Sequence, residues 1–146
     1  MEQIKRLEKS QRYEVLDLWL RCVMRENPFI EENFWQTHYE RVKNDYLVRS
    51  DTYVYMSDDQ IAGFICVTDH NYIRGLFVDP RFRRNGIGEK LIEYIKGVFS
   101  MLHVKIYMKN RDMIRFATRA GFVIDGAEMQ RETGEIQYDF LWDENE

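Results

Sequence analysis

Midway along the chain a β-rich segment, Leu76-Phe77-Val78, runs through Asp79-Pro80 into Arg81-Phe82-Arg83-Arg84-Asn85-Gly86-Ile87-Gly88-Glu89-Lys90-Leu91, where a helical period begins. Proline fixes its own φ and offers no N–H, so it closes the strand. The chain beyond it must turn within a few residues and start a helix. The first turn of a helix leaves backbone N–H groups without intrahelical partners, and the aligned peptide dipoles add partial positive charge. Glycines at 86 and 88 let that backbone approach a ligand where a Cβ would obstruct. Arg83 and Arg84, with Arg81 and Lys90 nearby, place four basic side chains within ten residues. The combination reads as an anion site, and a diphosphate-bearing ligand accounts for the concentrated charge.

Two common phosphate motifs do not fit. The pattern G-x-x-x-x-G-K-[ST] is absent, and the third glycine of a dinucleotide fingerprint is replaced by Leu91. That fingerprint also belongs after the first strand of a βαβ unit, not halfway along a chain.

The flanking sequence supplies the scaffold. Residues 2–7 read as a short first strand. From Ser10, a candidate cap, Val15, Leu18, Trp19, Cys22 and Val23 follow the spacing of a helix with one buried face, and Pro28 helps to end it. A second helical stretch covers roughly Glu31 to Leu47. Thr52 to Met56 and Ile61 to Thr68 form a hairpin across Ser57-Asp58-Asp59. Ala62 to Val67 is apolar on both faces and belongs inside a sheet. Tyr72 to Val78 is the next strand. In the helix over 87–100, Leu91, Tyr94, Ile95 and Val98 share one side. A strand at His103 to Met108, a short helix at Arg111 to Ala120 ended by Gly121, and a closing hairpin of Phe122 to Ala127 with Ile136 to Trp142 complete the order β-α-α-β-β-β-α-β-α-β-β.

At 146 residues the whole chain, 1–146, fits a single domain. A net charge of −4 argues against nucleic acid as the main partner, because such binders carry a basic excess. Cys22 and Cys66 lie among apolar neighbours and read as buried free thiols, which suits a reducing, cytoplasmic setting. No stretch is long and apolar enough to span a membrane. The histidines and cysteines lack metal-ligand spacing, so no metal is expected.

Arg83, Gly86 and Gly88 form R-x-x-G-x-G behind the L-x-V-x-P of Leu76, Val78 and Pro80, and this resembles the coenzyme A loop of the GNAT superfamily of N-acetyltransferases. Asn110, Phe116, Gly121 and Phe122 are similar to the run after the fifth strand in that superfamily. The order of elements agrees from end to end. Leu16 to Leu20, Asn27 to Ile30, Gly63 to Ile65, and Glu132 to Glu135 with Tyr138 bring the resemblance nearest to bacterial acetyltransferases of the YjaB/YiaC-like type.

The resemblance implies an α/β (α+β) GNAT fold: a mixed, mostly antiparallel sheet of about seven strands, flanked by about four helices and splayed between the fourth and fifth strands. It implies that Leu76, Phe77 and Val78 bond the pantetheine arm of acetyl-CoA through their main chain. Arg83, Arg84, Asn85, Gly86, Ile87, Gly88 and Glu89 would hold the pyrophosphate, with Asn110 and Phe116 beside it. The expected reaction is direct transfer of the acetyl group to a primary amine in a ternary complex, by a monomer or homodimer. The alternative is an acyl-CoA-binding module with weak or lost turnover.

Three positions depart from the family pattern, and Met113, at a position that is usually alanine, is one of them. The tyrosine that usually protonates the leaving thiolate is Ala117, which leaves Tyr107 and Tyr138 as candidate acids. Asn27 stands where similar proteins carry a histidine before Pro-Phe-Ile, so it and Phe29 are assigned to the acceptor pocket without a role as base. Asp69, His70 and Glu128 read as ordinary turn or surface residues, and no general base is assigned.

Overall fold

The computed structural model describes residues 2–146; the side chain of His70 lies outside the described part. The elements are β1 (Glu2–Arg6), α1 (Arg12–Glu26), α2 (Glu32–Arg41), a π-helical segment (Val42–Tyr46) running into a last short turn α3 (Leu47–Arg49), β2 (Asp51–Ser57), β3 (Gln60–Thr68), β4 (Tyr72–Val78), α4 (Ile87–Lys96), β5 (Met101–Tyr107), α5 (Arg111–Arg119), β6 (Val123–Met129) and β7 (Ile136–Asp143). Since α2, the π segment and α3 are continuous, four helical bodies flank the sheet, as expected.

The seven strands lie in the order β1-β2-β3-β4-β5-β7-β6. Every neighbouring pair is antiparallel except β4 and β5, which run parallel and pair only at Tyr72↔His103 and Ile73↔Val104. Beyond Ile73 the two strands part, while β4 stays paired to β3 as far as Val78↔Gly63 and β5 to β7 as far as Tyr107↔Gln137. This is the expected splay.

A core lies on each face. Val15, Leu16, Trp19 and Cys22 of α1 pack with Phe64, Phe77 and Tyr107 on one side of the sheet. Ile87, Leu91 and Ile95 of α4 pack with Ile65, Ile106, Ala117, Phe122 and Phe140 on the other. Strand β3 feeds both, with Phe64 and Cys66 pointing one way and Ile65 and Val67 the other. A strand covered on both faces reads as a continuous apolar run, which is what Ala62 to Val67 shows. Both cysteines are buried free thiols, and burial pushes Cys22 up to about 11, too high for a thiolate nucleophile at neutral pH.

Two local expectations are corrected. Ser10 caps no helix: it lies inside a 3-10 turn over Lys9–Gln11, where Glu8 and Gln11 cap each other, and the Glu8 N–H donates to Gln11 Oε1 at 2.9 Å. In α4 the buried stripe is Ile87, Leu91, Ile92 and Ile95, whereas Tyr94 and Val98 are 40% and 52% exposed. Tyr94 instead lies against Tyr53 at 5.1 Å between ring centroids. The helix ends at Lys96, so the apolar period seen through Val98 outruns it.

Candidate active site

The glycine turn is built by the chain's own chemistry. Asp79 accepts from its neighbour's backbone N–H (Arg81 N, 2.9 Å) and from the Arg81 guanidinium (Nη2 to Oδ2, 2.9 Å), and it is only 2% exposed. Hydrogen bonds from Arg81 hold the Asp79 carboxyl below the usual carboxylate range, against the upward pull of burial. A depressed folded pKa gives stability that is present above the unfolded value of ~3.9 and lost as pH falls through the lower folded value. Asp79→Ala is therefore expected to cost about 1–2 kcal/mol at pH 7, a typical helix-cap loss. Denaturant titrations at stepped pH should show the difference from the parent shrinking below about pH 4.

Past Phe82 the chain turns twice through left-handed backbone, at Arg84 (φ +68°) and Gly86 (φ +69°). Such conformations are routine for glycine but cost an arginine free energy, and they collect at functional sites. Gly86 is the N-cap of α4, and no side chain caps that helix end. The first α4 bond runs from Lys90 N to Gly86 O at 3.0 Å, so the N–H groups of Ile87, Gly88 and Glu89 face outward at the positive end of the dipole. A Cβ on Gly88 would sit 3.2 Å from the Phe116 ring, so this glycine lets α4 and α5 close on each other. Only part of the basic cluster serves the turn. Arg81 is held by Asp79, and Lys90 points to Tyr55 (Nζ to Oη 3.4 Å), which leaves Arg83 and Arg84.

Two grooves open near the β4–β5 splay, and the first reaches the glycine turn. One, of about 560 Å³, is walled by Leu76, Val78, Arg83, Gly88, Phe29 and Phe116. The other, of about 570 Å³, lies between α1–α2 and the floor formed by β4 and β5 where they part. Trp19, Asn27, Trp35, His38 and Tyr107 line this second groove. Glu26, Leu76, Asn110 and Met113 line both, so the grooves meet at the splay. His38 spans the second groove: its Nδ1 lies 2.7 Å from Phe34 O and its Nε2 3.3 Å from Glu132 in the β6–β7 turn.

The groove beside the glycine turn and the separate cleft thus join where the parallel strand pair comes apart. Residues 22–134 match the model of the acetyltransferase (GNAT) domain. The chain belongs to the GNAT acetyltransferase family. It is an acetyl-CoA-dependent N-acetyltransferase of GNAT type. Among its relatives is the peptidyl-lysine N-acetyltransferase YiaC of Escherichia coli K12, 30% identical over 130 residues that cover 89% of each chain. In three dimensions the GNAT chain is similar to apo-form YjaB from Escherichia coli, with a TM-score of 0.83, 20% identity and 97% of each chain covered. It is also similar to the PaiA N-acetyltransferase of Thermoplasma acidophilum, solved in complex with coenzyme A, with a TM-score of 0.81 at 13% identity, covering 98% of this chain and 99% of that one.

The site residues expected from the sequence are distributed unevenly over the two grooves. Leu76, Val78, Arg83, Gly88, Asn110 and Phe116 converge on the first groove. Asn110 caps α5, its Oδ1 accepting from Met113 N at 3.2 Å. Asn27 faces the second groove, but Phe29 lines the first and stacks edge-on against Tyr107 at 5.6 Å between centroids. Tyr107 and Tyr138 are separated. Tyr138 pairs with Ile106, not Tyr107, and packs with the core on the α4–α5 face, away from both grooves. Ala117 is buried in that same core.

Glu26 was not singled out from the sequence. It is one of 25 acidic residues, and nothing in its spacing marks it. One signal was available: it ends α1, where the helix dipole disfavours negative charge. Among the described residues, no helix is long and apolar enough to cross a membrane, and no cluster of three or more His, Cys, Asp or Glu is placed to hold a metal ion.

Proposed function

We propose that this acetyltransferase moves the acetyl group of acetyl-CoA directly to a primary amine while both substrates are bound, and that the amine is a lysine side chain of a peptide or protein. The observation that carries this reading is the meeting of two grooves at the β4–β5 gap, which lets donor and acceptor enter from different sides and meet at one point. The peptidyl-lysine activity named for the relatives YiaC and YjaB supports the choice of acceptor.

In this reading the backbone amides from Arg84 to Glu89, with Arg83 and Arg84, hold the pyrophosphate. The main chain of Leu76, Phe77 and Val78 holds the pantetheine arm along the edge of β4 that has lost its strand partner. Asn110 and Phe116 close the other wall. Leu76 and Met113, which line the junction, screen the reacting carbonyl from water in this scheme. Tyr107 is the proton donor to the departing thiolate. Burial pushes its phenol above the ordinary range, with Thr133 pulling the other way, so it stays protonated at neutral pH. The demand on it is modest, because a thiol of pKa ~8.5 leaves readily as thiolate. Tyr138, on the opposite face, takes no part.

Initial rates with acetyl-CoA and a lysine-containing peptide test the scheme, read as free thiol released and as acetyl-lysine by mass spectrometry. Both products should appear in equal amounts, and double-reciprocal plots at several fixed acetyl-CoA concentrations should intersect. Parallel lines would rule out direct transfer. Tight acetyl-CoA binding without turnover on any amine would leave a binding module instead.

A further inference from the structure

We propose that Glu26 is the general base of this acetyltransferase, taking the proton from the incoming ammonium at the point where the two grooves meet, while Asn27 Oδ1 holds the same nitrogen by accepting one of its N–H groups. This rests on the direct-transfer reading. It begins with placement. Glu26 is the last residue of α1, half-buried, and it lines both grooves. Among the described residues its carboxylate has neither a hydrogen bond nor an ion pair. A carboxylate sheltered from water and left unpartnered is costly, and such a group persists where it has work to do.

Asn27 supplies an independent observation. It is 6% exposed, its Nδ2 donates to Val23 O at 3.1 Å, and its Oδ1 is buried with no partner. Flipping the amide would set Oδ1 against the Val23 carbonyl, so the orphan acceptor is fixed by its surroundings. Two adjacent residues that line the groove thus carry an anionic and a neutral acceptor, and among the described residues neither is hydrogen-bonded. An ammonium group supplies three donors and a positive charge, which matches that pair of acceptors.

The surroundings also set the proton affinity. Burial is the dominant influence and raises the Glu26 carboxyl to about 7; Arg83 of the β4–α4 turn pulls it down, and Asp112 of α5 pushes it up. Lys109 and Arg111 line the first groove, and Tyr107 and His38 the second. A base poised near neutrality takes protons without holding them irreversibly. In the transfer step the ammonium N–H proton passes to the Glu26 carboxylate, and the freed amine lone pair forms the C–N bond as the C–S bond breaks. A second N–H proton leaves the nitrogen for solvent, and the thiolate is protonated by Tyr107, which is restored from solvent. Glu26 then returns its proton to solvent, so one proton is released for each acetyl group moved.

The test compares the full-length protein with Glu26→Gln, a neutral isostere. Acetyl-CoA binding and peptide turnover by the parent are measured first, so that failure of the direct-transfer reading is seen separately. Given turnover, the parent's kcat/KM should rise through about pH 7 as Glu26 ionises. In Glu26→Gln the acetyl-CoA Kd should stay within about twofold while kcat/KM falls at least about 100-fold at pH 7. That deficit should narrow about tenfold per pH unit above neutrality, since free lysine amine becomes available without a base as pH approaches ~10.4.

Thermal unfolding without substrate gives a readout independent of activity. A carboxyl whose folded pKa is raised costs stability once it ionises, with no cost below the unfolded value of ~4.3 and full cost above the folded one. Glu26→Gln should therefore melt a few degrees higher than the parent at pH 8 and no higher at pH 4. Unchanged turnover and pH profile in the variant would overturn the proposal. So would a uniform loss at every pH, which marks a positioning role, or the absence of a stability gain at pH 8.

Discussion

Replacing Gly86 by glutamate is expected to weaken acetyl-CoA binding at least about 100-fold, a change of about 2.7 kcal/mol, while leaving a folded protein. Two effects add. Gly86 sits at φ +69°, where a Cβ costs about 1–2 kcal/mol, so the loop that holds the amides would shift or bear strain. The new carboxylate has room to extend, because nothing but Glu89 Oε2, at 3.9 Å, lies near the position of its Cβ. It would therefore place a full negative charge at the N-terminus of α4, where the pyrophosphate is proposed to sit. Gly86→Asn is the control, since asparagine tolerates left-handed backbone and carries no charge; it should lose much less affinity. Calorimetric titration of both variants, with melting curves to certify folding, decides the matter. Full affinity in Gly86→Glu would remove the anion from this loop.

The largest loss of stability is expected from Phe64→Ala, at about 3–5 kcal/mol. Phe64 is 2% exposed at the centre of β3, and its ring lies 5.7 Å from that of Phe77 on β4. Truncation removes buried apolar area and leaves a cavity between α1 and the sheet that neighbouring strands cannot collapse to fill. Since typical domains are stable by only about 5–15 kcal/mol, a loss of this size lowers the urea midpoint sharply. Because Phe77 lines the groove of the proposed acceptor, turnover should fall even below the melting temperature. A midpoint shift equivalent to under ~1 kcal/mol would show that the site repacks.

Strands with β-branched runs and helices with one apolar stripe could be read from the sequence because each is decided by local period. The glycine turn was legible because proline, glycine and arginine each carry a local mechanism. Which of its cations reach the turn was not: Asp79 claims Arg81 and Tyr55 attracts Lys90 through folding. Tyr107 and Tyr138 look alike in sequence, and only strand register sends them to opposite faces. Glu26 and Asn27 obey the same logic. Their character comes from what lies across the groove, including Arg83, Asp112 and Tyr107, all of which are remote in the chain. Ser10 failed as a cap because two longer neighbours, Glu8 and Gln11, satisfy each other first.

The two-rung junction between β4 and β5 has a mechanical consequence. Strands β1 to β4 form one ribbon and β5 to β7 another, and among the described residues only the strand pairs at Tyr72 and Ile73 stitch them directly. A slender amide-bearing molecule laid along the open stretch would hydrogen-bond to the bare flank of β4, as an eighth strand borrowed from solution. If the proposed binding mode holds, the donor substrate is also a temporary part of the framework, and each catalytic cycle would end by unpicking a seam.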